Sequence, residues 1–167
     1  MAVDMRAAFE KIERLIGQIK RTDLGEVTRL EIGRFAIACG DCSAFFFDDE
    51  SARSAGYPAI IAPPLYLSSV MTWGVGPAEE QLKTDGLTGE EIMSLPVEDL
   101  RIMGGGQELQ FHRPVIAGTH VFMQTAIETV QIKEGRSGTF LVVGLLRKYH
   151  DSEDRLLVTC RENFIAR

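Results

Sequence analysis

The sequence predicts an α+β fold. Two observations carry this. The first half holds helical periodicities and one segment, Pro63 to Trp73, that is apolar nearly all round. After Arg101 the pattern changes to β-rich runs separated by turn residues. Helices lying against one buried face of an antiparallel meander satisfy both. A length of 167 residues fits a single domain, 1–167. Such a chain buries about 70% of its unfolded surface and needs no disulfide or metal to fold.

Taken in order, residues 1–20 read as an N-terminal helix. Phe9, Ile12, Leu15 and Ile16 recur at three- and four-residue spacing, and Gly17 is a plausible stop. Thr28 with Glu31 three residues later forms a capping-box signature, opening a helix that ends near Gly40. Asp48 to Ala55 reads as a short helix closed by Gly56. Pro63-Pro64 then opens the apolar segment, since proline suits a first helical turn. A helix apolar on every side belongs at the centre of a domain, or at a subunit contact. Residues 77–100, acidic and interrupted by Gly86, Gly89 and Pro96, read as a surface insertion with a short helix around 89–95. Four strand-like segments follow, at 108–112, 120–133, 139–149 and 156–166. Between them lie turns at 114–118, 134–138 and 151–154.

Composition excludes several classes. A formal charge of −6 argues against a nucleic-acid surface, which must neutralise phosphate. The longest apolar stretch, Tyr57 to Val75, is broken by prolines and serines and falls short of a membrane span. Ala2 to Lys20 is too charged for an export segment, so a cytoplasmic location is expected.

Individual motifs each have two readings. Cys39-Gly40-Asp41-Cys42 is formally a C-x-x-C, but it falls at a helix C-terminus, where the dipole does not favour a thiolate. Its cysteines read as small buried thiols or as a redox or metal pair, and the remaining Cys160, His112, His120 and His150 lack metal-ligand spacing. No metal site is expected from these residues. Gly104-Gly105-Gly106 lacks the spacing of a phosphate loop and reads as a bulge or sharp sheet entry. Asp41 is the carboxylate of interest. It follows a helix-ending glycine and precedes Phe45-Phe46-Phe47, whose apolar walls would disfavour its charged form, as in general acids and bases. The alternative is a carboxylate that merely caps the turn.

Three segments in order, Glu26 to Asp41, Gly56 to Leu65 and Gln107 to Gly118, resemble the MaoC-like dehydratases, specifically their N-terminal dehydratase domain. The most specific pieces are Ala62-Pro63-Pro64 before an apolar segment and Phe111-His112-Arg113-Pro114-Val115 leading to Ala117-Gly118. The resemblance covers roughly residues 15–166. It implies a hot-dog fold, an antiparallel sheet wrapped around a long central helix. It also implies reversible hydration of a trans-2-enoyl thioester to the (R)-3-hydroxyacyl thioester, carried on coenzyme A or acyl carrier protein, with no metal or redox cofactor.

Against that pattern the chain departs at two points. Active members carry G-D-x-N-P-x-H, whose Asp and His activate water. Here Gly40-Asp41 remains, Ser43-Ala44 replaces Asn-Pro, and Phe46 stands at the histidine position. Active members also have His-Gly at the start of the central helix, where the glycine N–H polarises the thioester carbonyl. Pro64, at the matching position, has no N–H to donate. The pattern is similar to that of non-catalytic halves in heteromeric dehydratases, which line the acyl tunnel while a second hot-dog subunit supplies the Asp–His pair. Asp41 is then a residual catalytic candidate. Phe45, Phe46, Pro64, Tyr66 and Met71 are candidates for the substrate wall, and Arg113 for coenzyme A phosphates. A homodimeric acyl-CoA binding protein without turnover and a hot-dog thioesterase are the alternatives.

Overall fold

A computed structural model describes residues 4–74, 78–82, 100–136 and 138–167. Five antiparallel strands form its frame: β1 (Lys20–Glu26), β2 (Ile102–Phe111), β3 (His120–Gly135), β4 (Gly138–Asp151) and β5 (Leu156–Ala166). They lie in the order β1-β3-β4-β5-β2, so β1 and β2 are the edges. The long β3–β4 hairpin closes at Gly135 opposite Gly138, where the sequence has its turn composition.

Alternation decides which side chains face inward. In β4, Leu141, Val143, Leu145, Arg147, Tyr149 and Asp151 are all buried, as period-two geometry requires of one sheet face. Helices cover that face in two patches. The first is α1 (Met5–Glu13), capped by Asp4, whose carboxylate accepts from the backbone N–H of Arg6 and Ala7. It buries Ala8 and Ile12 against Ile127, Leu141, Val143, Leu145 and Phe164. The second patch holds α2 (Arg29–Ala38), α3 (Asp49–Ser54) and the short α4 (Tyr66–Ser69). Ile32, Ala36, Phe46, Tyr66, Leu67 and Met71 pack there against Val121, Met123, Tyr149 and Val158.

The expected capping box is present: Thr28 Oγ1 accepts from the Glu31 N–H, and the Glu31 carboxylate reaches back to the Thr28 N–H. Three expectations need correction. The N-terminal helix does not run over 1–20 but ends at Glu13, and Lys20–Glu26 is an edge strand that hydropathy does not reveal. Its sequence, Lys-Arg-Thr-Asp-Leu-Gly-Glu, is polar because an edge strand exposes much of its surface. The central helix is short rather than long. After Ser69 the backbone departs at Val70 (φ −117°, ψ −62°), and a 3-10 turn follows at Met71–Trp73. Val70 is β-branched, and the Thr72 hydroxyl donates to the Leu67 carbonyl at 2.9 Å, taking an acceptor that a continuing helix would use. Cys39 and Cys42 are exposed, not buried; Cys160 alone is buried.

Of the expected surface insertion at 77–100, residues 79–81 form a 3-10 turn and Leu100 is buried in the core under α1. The helix expected around 89–95 lies outside the described residues. Gly104–Gly106 does form a bulge, a register shift between β2 and β5. Glycine is required at its middle, since a Cβ on Gly105 would come within 2.9 Å of the Asn163 carbonyl oxygen.

The β4–β5 turn is organised by Asp151, which is 5% exposed. Its carboxylate accepts from the backbone N–H of Glu153 (3.0 Å) and Arg155 (2.9 Å) and from Arg155 Nε (2.6 Å). Burial pushes this carboxyl up, but the Arg155 side chain and the two N–H donors outweigh it and hold the group below the usual range. A carboxyl lowered in the folded state contributes stability that is fully present above its unfolded value of ~3.9. That contribution is lost as pH falls through the folded-state value. Asp151→Asn is therefore expected to flatten the acid side of the stability profile, read as urea midpoints across a pH series. An unaltered acid limb would show that the turn carries no such linkage.

Candidate functional site

The site grows from the end of α2. Gly40 takes φ +73°, a left-handed conformation that suits glycine, and the Asp41 N–H then closes on the Ala36 carbonyl at 2.9 Å. This turn projects Asp41 to the surface. Its Oδ1 accepts from the Ser43 hydroxyl (2.6 Å) and the Ser43 N–H (3.0 Å). The Ser43 hydroxyl, and then its N–H, holds the Asp41 carboxyl below the usual range. Apolar walls were expected to disfavour the charge; the exposed, serine-bonded carboxylate has its charge favoured instead. The Asn-Pro positions of the active pattern thus hold a serine that engages the aspartate locally.

The following 3-10 turn, Ala44–Phe46, sends Phe46 inward. Phe46 is 3% exposed, and its ring lies 4.5 Å from that of Phe45, edge to face. Phe45 is half-buried and leans on Tyr57 at 6.1 Å. The segment entering α4 is docked on the turn before β3: the Ala62 N–H donates to the Val115 carbonyl at 2.7 Å, and Ala117 N–H to Ile60 at 2.9 Å. Pro63 is buried and Pro64 exposed. Tyr66 is 1% exposed, edge-on to Phe35 at 5.6 Å. Burial, with the Glu31 carboxylate adding to it, pushes the Tyr66 phenol up to about 12.

The structure therefore brings Phe46, Tyr66 and Met71 into one cluster with Phe45 packed against it. Asp41 and Pro64 stay on the surface, and Arg113 is exposed at the start of the turn leading to β3. Arg113 is not part of the cluster; its backbone N–H holds the Leu157 carbonyl at 3.2 Å. Among the described residues no group of three or more His, Cys, Asp or Glu side chains is placed to hold a metal ion. No helix among them is long and apolar enough to cross a membrane.

Sequence reasoning passed over the polar centre of the sheet face. Arg147 and Glu162 point inward from β4 and β5 and form an ion pair. Trp73 lies over the guanidinium, 5.8 Å from ring centroid to Cζ. Beside them the Tyr149 hydroxyl and Thr72 Oγ1 share a hydrogen bond of 2.6 Å, fixing the 3-10 turn to the sheet. One signal was available: Arg147 alternates in phase with Leu145 and Tyr149, so a strand that buries those two also turns the arginine inward.

Comparisons with known proteins agree with this architecture. A UPF0336 protein of Streptomyces griseus is 30% identical over 144 residues, 85% of each chain. The ChsH1–ChsH2 complex of Mycobacterium tuberculosis superposes with a TM-score of 0.76 at 18% identity, covering 97% of this chain and 92% of that one. The HadBC (3R-hydroxyacyl-ACP dehydratase) complex of the same organism gives 0.63 at 20% identity, covering 90% and 96%. At these identities the two structures speak for a shared hot-dog fold. The family model described as the FAS1-like dehydratase domain region matches residues 14–160. Fold, relatives and family model converge, and the chain belongs to the FAS1-like dehydratase-region family.

Proposed function

We propose that the chain is a hot-dog subunit of an (R)-specific enoyl-thioester hydratase or 3-hydroxyacyl-thioester dehydratase. It holds the acyl chain and supports a partner that performs the proton transfers. The observation that carries this reading is Phe46. A phenyl ring buried in the core occupies the position where the family resemblance calls for a histidine. A phenyl ring neither gives nor takes a proton.

Asp41, bonded to Ser43 and held ionised, is left as a weak base without a partner. Pro64 removes the N–H that would meet the carbonyl oxygen. Loss of one such donor costs about 10²–10³ in rate. The apolar wall of Phe45, Phe46, Tyr66 and Met71 remains suited to an acyl chain, with Arg113 the candidate for the coenzyme A phosphates. The thioester, on coenzyme A or acyl carrier protein, is the only small partner this chemistry requires.

Two features support a second hot-dog subunit. The superposing structures named above are both two-component complexes, ChsH1–ChsH2 and HadBC. The two edges of the sheet also differ. β1 is short and carries Lys20, Arg21 and Asp23, charges that discourage edge pairing. β2 is ten residues long and exposes Met103 (42%) and Phe111 (50%), apolar side chains that a partner would cover.

The test is co-expression with a hot-dog subunit bearing G-D-x-N-P-x-H. The two chains should co-purify, and the pair should hydrate crotonyl-CoA faster than the partner alone. A partner that is equally active with and without this chain would contradict the supporting role. Acyl-CoA binding without hydration under any pairing would turn the reading toward a binding protein.

A further inference from the structure

The inner face of the sheet is not uniformly apolar. The cluster under α1 and the cluster under α2 and α4 are separate, and one ion pair joins them. Along β4, Arg147 has Leu145 of the first cluster on one side and Tyr149 of the second on the other. Along β5, Glu162 stands likewise between Phe164 and Cys160. Arg147 is 2% exposed, and the Glu162 side chain is 11% exposed. Arg147 Nε has no hydrogen-bond acceptor among the described residues, and a buried donor left unpaired is costly.

Trp73 covers the guanidinium and is itself 37% exposed, so its ring stands between the cation and solvent. The ring is lightly attached. α4 ends at Ser69, and the break at Val70 leaves only 3-10 bonds beyond it. The Trp73 N–H reaches the Val70 carbonyl at 3.2 Å and the Gly74 N–H the Met71 carbonyl at 3.3 Å. Both are longer than the about 2.9–3.0 Å of a well-made bond. Gly74, at φ 59° with nothing within 4 Å of where a Cβ would stand, is a permissive joint. Met71 is seated in the core, and Thr72 makes the one polar tie to the sheet. Its hydroxyl proton goes to the Leu67 carbonyl, so the Tyr149 hydroxyl donates to Thr72 Oγ1.

We propose that Thr72–Trp73 is a lid over Arg147, latched by the Tyr149–Thr72 hydrogen bond, which opens while the rest of the fold stays closed. With the lid shut, both hydroxyls are satisfied and Arg147 Nε–H is stranded. With it open, water takes up Nε–H and the two hydroxyls, and the ring contact is lost. The gain and the loss are of similar size, which is what keeps both states within reach of each other. Glu162 remains on the guanidinium throughout, so the charge is never left uncompensated. The lid thus sets whether water reaches the polar centre of the sheet, and it does not depend on the acyl-holding reading.

The test is amide hydrogen exchange on the full chain across a series of sub-denaturing urea concentrations. The Trp73 and Gly74 amides should exchange at a rate that hardly changes with urea. Those of Leu145 and Tyr149 should be slower and should quicken with urea, because they require the sheet itself to open. Tyr149→Phe removes only the latching hydroxyl and should speed exchange at Trp73 and Gly74 roughly fivefold, the worth of one hydrogen bond. In the double variant Arg147→Met/Glu162→Leu no donor is stranded by closing, and opening would wet apolar side chains. Exchange at Trp73 and Gly74 should then slow by roughly tenfold. A ring that simply rests on a cation gives the opposite sign, since the double variant removes what holds it.

Exchange at Trp73 and Gly74 that rises with urea as steeply as at Leu145 would overturn the inference, because the turn would then open only with the whole protein. Unchanged exchange in Tyr149→Phe would overturn the latch. Unchanged or faster exchange in the double variant would show that the stranded donor drives nothing. Should the double variant not fold, the urea series and Tyr149→Phe still decide.

Discussion

Glu162→Leu, made alone, is expected to destabilise the protein by about 3–5 kcal/mol, because it leaves the Arg147 guanidinium buried without its counter-ion. Burial already disfavours the charged form of Arg147, holding its pKa below the ordinary arginine value. A side chain only 2% exposed gives bulk solvent little access to stand in for the carboxylate. Adding Arg147→Met should restore most of the loss, since the pair is then exchanged for apolar volume between Leu145, Cys160 and Trp73. Urea unfolding of the two singles and the double closes the cycle, and the coupling between the sites is the quantity read. If the double variant is as unstable as the singles' sum, the pair has no mutual dependence. The picture of two clusters joined by one ionic seam then fails.

The second large effect belongs to α2. Ile32 is fully buried in the core cluster, and with Ala36 it is what anchors this helix. Ile32→Ala should cost about 2–5 kcal/mol through lost burial and the cavity left behind. Ile37, on the same helix but 67% exposed, is the control, and Ile37→Ala should stay within about 0.5 kcal/mol. The difference matters for the site, because α2 delivers Gly40 and Asp41. Loosening its anchor should also release the turn in which Asp41 N–H closes on Ala36. Amide exchange at residues 39–43 should accelerate in the first variant and not in the second. Equal stability losses would mean that α2 is not held through its buried face.

Local chemistry made much of this fold legible. Thr28 and Glu31 spell a capping box, and the helix begins where they place it. The turn residues at 134–138 mark the β3–β4 hairpin, and Gly104–Gly106 reads as the bulge that it is. Edges and breaks were harder. β1 has no apolar alternation because an edge strand that packs lightly needs none, so Lys20–Glu26 reads as a polar connection. The apolar run 63–73 has the burial of a central helix, but the Thr72 hydroxyl and the Val70 backbone end it early. That outcome depends on a tertiary bond, Thr72 to Tyr149, seventy-seven residues apart.

The candidate site divides in the same way. The grouping of Phe46, Tyr66 and Met71 follows from hydrophobicity and was legible. The environment of Asp41 was not, because a neighbouring serine rather than the aromatic trio sets its charge. Arg147 and Glu162 were passed over because a charged residue in a strand is ordinarily read as solvent-facing. The in-phase alternation of Arg147 with Leu145 and Tyr149 was the one signal, and the burial of the pair shows that both turn inward.

The proposed function leaves the acid–base pair to a second chain and gives this one the acyl group to hold. Its most direct test is hydration of crotonyl-CoA by the purified chain alone, followed by the same assay on Asp41→Ala. At most a trace of hydration is expected from the chain alone, with no further loss when Asp41 is removed. Strong hydration by the unaltered chain, abolished in Asp41→Ala, would contradict it.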